Sequence, residues 1–89
     1  MKRMSVGDYF GTRQGKEVLL LLSQYAAIPS SKILPLIIRA FPFNKGVSGE
    51  DHHSQNTITR KLRFLQSACR CLGRMDEKEF LKIATCILK

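Results

Sequence analysis

Acidic residues are scarce in this chain: seven Asp and Glu stand against fifteen Lys and Arg, a formal charge of +8 on 89 residues. Such an imbalance on a small body favours polyanionic partners, meaning nucleic acid, an anionic membrane surface or an acidic protein face. Cysteine is sparse too. Cys69, Cys71 and Cys86 are odd in number and too few for the disulfide framework of a small secreted domain. They are expected to be reduced, hence cytosolic or nuclear, with a cytoplasmic location the expectation adopted. A membrane-spanning helix needs about 20 apolar residues, and Ser23-Gln24, Pro29-Ser30-Ser31 and Arg39 interrupt every candidate run. The basic opening Met1-Lys2-Arg3-Met4 is followed by an apolar run that is too short and too far along for a cleavable signal. Sustained period-two alternation is missing, as are Asn-Gly and Asp-Gly hairpin dipeptides, which argues against a β fold.

What is present reads as helix. The composition, 44% hydrophobic and 25% charged, is that of a folding domain. Residues 1–15 contain Gly7, Gly11 and Gly15 among polar and basic residues and read as a flexible or loosely helical arm, with Tyr9 and Phe10 as its anchors. Residues 16–89 read as the helical domain. In KEVLLLLSQYAAI, residues 16–28, apolar side chains occur on nearly every side, the pattern of a central, mostly buried helix. Pro29 should stop it. Ser30 or Ser31 can cap a second helix through ILPLIIRAF, with Pro35 near its first turn and Pro42 at its end. A polar, aperiodic stretch, PFNKGVSGEDHHSQN, then predicts a long loop before a third helix capped by Asn56 or Thr57. Gly73 terminates that helix, and Asp76 with Glu79 forms a capping-box pattern for a fourth, flanked by Met75 and Phe80 in staple positions. The expected architecture is a small all-α single-domain bundle of about four helices, with a long loop between the second and third.

The third helix carries the charge. At about 100° per residue, Ile58, Leu62, Leu65, Cys69 and Leu72 form one apolar stripe, and Arg60, Arg63, Ser67, Arg70 and, if the helix runs past Gly73, Arg74 gather opposite it. Lys61 adjoins them. No acidic residue lies on that face, although like charges three or four residues apart repel by a few tenths of a kcal/mol. Arginine predominates, and its planar five-donor fork suits phosphate or carboxylate. Phe64, Ala68 and Cys71 flank the stripe and are expected to pack, leaving no base-stacking platform. The competing view is an ordinary solvated face neutralised by Asp76, Glu77 and Glu79 folding back from the last helix.

Other chemistry finds little support. His52 and His53 follow Glu50 and Asp51, but Cys69 and Cys71 point about 200° apart on a helix, a poor basis for a zinc site. The three cysteines are expected to be buried structural thiols, without metal or other cofactor. Glu50, Asp51, His52 and Ser54 form a polar cluster with no second carboxylate, nucleophile elbow or phosphate loop elsewhere, so the chain is not expected to be an enzyme. A helix-turn-helix, with residues 16–28 and 32–41 as its first pair and the arginine helix as reader, meets the objection that the long loop replaces the usual turn of about three or four residues.

The reading is a small, basic, non-enzymatic binding protein, a transcription-type regulator that contacts nucleic acid, DNA ahead of RNA, through Arg60, Lys61, Arg63, Ser67, Arg70 and Arg74, with no membrane role and with homodimer formation left open. The alternative is an inhibitor or adaptor docking the same face on an acidic protein. SQNTITRKL and MDEKEFLKI are similar to the corresponding stretch of the AsiA anti-sigma family of phage proteins, small helical proteins that bind polymerase subunits. The likeness covers about a third of the chain, does not identify it, and departs from the family in its strong positive charge.

Overall fold

A computed structural model describes residues 3–40 and 52–88. Its architecture is the all-α one expected, a small domain whose element order is β1 (Arg3–Ser5), α1 (Val6–Tyr9), α2 (Arg13–Ala26), α3 (Ser30–Ala40), β2 (His52–Ser54), α4 (Gln55–Leu72) and α5 (Glu77–Ile87). Most of the expected long loop, residues 41–51, lies outside the described residues, as do Glu50, Asp51 and the stop at Pro42.

Residues 4–10 are integral to the core. Met4, Val6, Tyr9 and Phe10 are all buried, and Tyr9 and Phe10 meet edge to face with ring centroids 5.4 Å apart. The expected arm is thus packed where it carries apolar side chains. Two three-residue strands, which no alternation in the sequence announced, pair antiparallel with Met4 opposite His53 and set the start of the chain beside the start of α4. Such a ribbon is held by what packs around it, since isolated two-stranded pairs are marginal in water.

α2 begins at Arg13, three residues before the expected start, because Thr12 caps it: its hydroxyl accepts from the Gly15 amide at 3.0 Å. Gly15 is required by close approach. A Cβ there would collide with the Tyr9 carbonyl oxygen and stand 2.8 Å from Phe10 Cα. Val18, Leu22 and Ala26 form the buried stripe, while Leu20 is 54% exposed, so α2 is one-sided rather than buried all round. The helix ends earlier than Pro29 alone would impose, at Ala26, where Ala27 turns left-handed (φ 59°) and donates its amide to the Ser23 carbonyl. α3 then leaves at 105° to α2. Pro35 lies in its second turn, exposed, with the ring toward solvent; it leaves the Ser31 carbonyl without an i+4 amide. Ile33, Leu36, Ile37 and Ala40 face the core.

α4 is capped by Ser54, whose Oγ accepts from the Thr57 amide at 3.2 Å; the helix therefore starts before the expected Asn56 or Thr57. It ends as expected at Gly73, which adopts φ 77° and returns its amide to the Cys69 carbonyl at 2.8 Å. Met75 N–H then bonds the Ala26 carbonyl at 3.0 Å, tying the α4–α5 turn to the end of α2. The Asp76–Glu79 capping box forms in both directions, at 2.8 and 3.4 Å, and Met75 and Phe80 are buried beside it. α2 packs on α4 and on α3, and α5 closes the core against α3 and α4. No single helix among the described residues is long and apolar enough to cross a membrane.

Candidate nucleic-acid interface

The wheel of α4 is reproduced in its core half and extended in its outer half. Ile58, Leu62, Leu65 and Cys69 are fully buried. Leu72, the last residue of α4, departs from the expected stripe and is 63% exposed. Across the helix, Arg60, Arg63, Ser67 and Arg70 are all exposed, as is Arg74 two residues past the helix end. Arg60 and Arg70 are ten residues apart, so about 15 Å of axis separates them, comparable to the axial rise of about four base pairs of duplex at about 3.4 Å each.

Neutralisation from α5 does not occur among the described residues. Glu77 pairs instead with Lys32 of α3 at 3.3 Å, and Asp76 and Glu79 serve each other's amides in the capping box. No described carboxylate pairs with Arg60, Arg63 or Arg70. Lys61 is placed differently from its neighbours. It is half-buried and donates to the Leu88 carbonyl at 3.2 Å, so it bridges α4 to the end of α5 and stands off the outward face.

Two side chains depart from the sequence reading in ways that matter for binding. Phe64 was expected to pack; it is 63% exposed beside the arginine stripe, one turn from Arg60. Its wheel position, well outside the buried arc of Ile58 to Cys69, carried the signal. Cys71 is exposed on the same side and Cys86 is exposed on α5, so only Cys69 is a buried structural thiol. Burial pushes the Cys69 thiol up from 9.0 to about 11 by disfavouring its anion.

The α2–α3 corner, with its three-residue break and 105° crossing, has helix-turn-helix dimensions. Its second helix exposes few cations: Lys32, engaged with Glu77, and Arg39. The concentrated positive face belongs to α4. Among the described residues no group of three or more His, Cys, Asp or Glu is arranged to hold a metal ion.

Beside the arginine face runs a cleft of about 380 Å³ between α2 and α4, with Arg63 on its edge and Arg13 from the first turn of α2 on the other wall. Gln55 Nε2 donates to Gln14 Oε1 at 3.2 Å across it. The sequence reading missed this feature because residues 1–15 were assigned to an arm, which placed Arg13 and Gln14 outside the helical body. No protein-family model, curated protein or solved structure matches this chain.

Proposed function

We propose that this is a small, non-enzymatic, cytoplasmic nucleic-acid-binding protein of the transcription-regulator type, which grips the phosphate backbone through the outward face of α4. The observation that carries the reading is the exposure of Arg60, Arg63 and Arg70 on one face, with the nearby acidic residues of α5 committed to Lys32 and to helix capping. Uncompensated like charge on a helix costs stability, and contact with phosphate turns that cost into affinity by releasing counterions. Ser67 adds a hydroxyl on the same face, Arg74 extends it past the helix end, and Lys61 contributes positive potential from its edge. DNA is the preferred partner over RNA.

Exposed Phe64 and Leu72 beside the arginines favour one second reading, docking on an acidic protein, because aromatic and arginine side chains dominate hot spots at protein interfaces. Fluorescence anisotropy with labelled single- and double-stranded oligonucleotides separates the two. Three phosphate contacts predict a slope of about −2 to −3 in log affinity against log salt. Absence of oligonucleotide binding at 50 mM salt would exclude the first reading and leave the second.

A further inference from the structure

The α2–α4 cleft has a mixed chemistry that a bare phosphate site would not need. Arg13 and Arg63 supply guanidinium forks from opposite walls, half-buried Leu21 supplies an apolar surface over the core, and Glu17 supplies an acceptor. Three glutamine amides complete it. Gln14 and Gln55 hold each other, which leaves the Gln14 NH2 and the Gln55 carbonyl as a fixed donor and acceptor. Gln66 is different: it lines the cleft, and its Oε1 is buried with no hydrogen-bond partner among the described residues. An unmet buried carbonyl is uncommon and asks for an explanation. Because no hydrogen bond fixes this amide, rotation about its terminal torsion, which is broad and roughly two-fold, presents either its donor or its acceptor end to the cleft.

We infer that this cleft receives one nucleotide unit, with its phosphate on Arg13 and Arg63, its base against Leu21, and the base edge met by the Gln66 amide. The volume, about 380 Å³, falls in the range of small-molecule sites. The Gln66 amide offers the base edge one hydrogen bond, which any nucleobase can complete, so the cleft is not selective for one base and adenosine monophosphate serves as its probe. A purely apolar ligand would leave the amides unmet, and inorganic phosphate would use only the arginines. The inference rests on the nucleic-acid reading of the adjoining α4 face, with which the cleft shares Arg63. It deepens that reading: a base lodged here has left its stack, so the strand that runs along Arg60 and Arg70 is single-stranded at this point, and exposed Phe64 offers a face on which a further base stacks.

The test is a titration of the isotopically labelled full chain, followed by amide chemical shifts, with adenosine 5′-monophosphate, ribose 5-phosphate and inorganic phosphate as separate probes. Adenosine monophosphate should shift Gln14, Val18, Gln55 and Gln66 saturably, and the two probes without a base should not reproduce the pattern. Gln66→Leu and, independently, Leu21→Trp should weaken the response by about tenfold or more, with folding of each variant verified by its amide spectrum. Lys82→Gln, an exposed change on α5 outside both the cleft lining and the α4 face, should leave it unchanged. If the mononucleotide shifts no cleft residue, or shifts them only as inorganic phosphate does, the inference is wrong. Oligonucleotide binding at the α4 face with a silent cleft sinks it while sparing the nucleic-acid reading. A cleft that binds the mononucleotide in a chain that ignores oligonucleotides does the reverse.

Discussion

The Tyr9 hydroxyl lies 3.0 Å from the Thr59 hydroxyl, joining the short helix α1 to α4 across fifty positions of sequence. The Tyr9 ring is fully buried, and Thr12 Oγ1 donates to the Tyr9 carbonyl at 2.6 Å while capping α2. One residue near the start of the chain thus ties together α2 and α4, the two helices that wall the cleft beside the arginine face.

Tyr9→Phe keeps the ring and removes the hydroxyl bond, so it should cost about 0.5–1.5 kcal/mol. Tyr9→Ala also opens a cavity and should cost about 3–5 kcal/mol, by analogy with other large aromatic truncations. Urea denaturation of both variants checks the order; equal and negligible losses would mean that the first ten residues contribute nothing to the core.

Gly15→Ala is expected to destabilise strongly despite alanine's better helix propensity. Propensity alone would favour Ala by about 1 kcal/mol, yet the added Cβ meets backbone atoms of Tyr9 and Phe10, which cannot move as a side chain tip could. Thermal melting reads the sign: a variant that melts higher than wild type would show that the α1–α2 junction relaxes freely.

The triple change Arg60→Gln, Arg63→Gln, Arg70→Gln should leave the melting transition nearly intact, because exposed charges away from special features shift stability by no more than about 0.5 kcal/mol each. Oligonucleotide affinity should fall, and its salt slope should flatten by about 2 to 3. Leu62→Ala or Leu65→Ala, each at a fully buried position, should instead cost about 2–5 kcal/mol. A triple variant that binds as tightly as wild type at every salt concentration would make this face ordinary solvated surface.

Cys71 and Cys86 should react with a thiol reagent in the native protein, whereas Cys69 should wait for unfolding. The raised Cys69 pKa also sets an alkaline limit. The folded state holds this proton more tightly than the unfolded state, so its contribution is complete below pH 9.0 and is lost as pH rises toward about 11. Cys69→Ala should flatten the fall in stability over that window; an unchanged slope would assign the alkaline loss to other groups.

Local chemistry made the helices and their ends legible from sequence. The capping box at Asp76 and Glu79, the stop at Gly73 and the four-three-four spacing from Ile58 to Cys69 need only neighbours within a turn or two, so propensity, capping and periodicity determine them. The clustering of Arg60, Arg63, Ser67 and Arg70 followed from the same periodicity. What tertiary structure alone decided depends on contacts between distant segments. Burial of Met4, Val6, Tyr9 and Phe10, the pairing of residues 3–5 with residues 52–54, and the exposure of Phe64 and Leu72 are set by which elements cover which faces. The same holds for the cleft that joins Arg13 and Gln14 to Arg63 and Gln66, since its walls come from two helices about fifty positions apart. A helical wheel states which side chains share a face, but only the packing of α1, α2 and α5 around α4 determines which of those faces meets solvent.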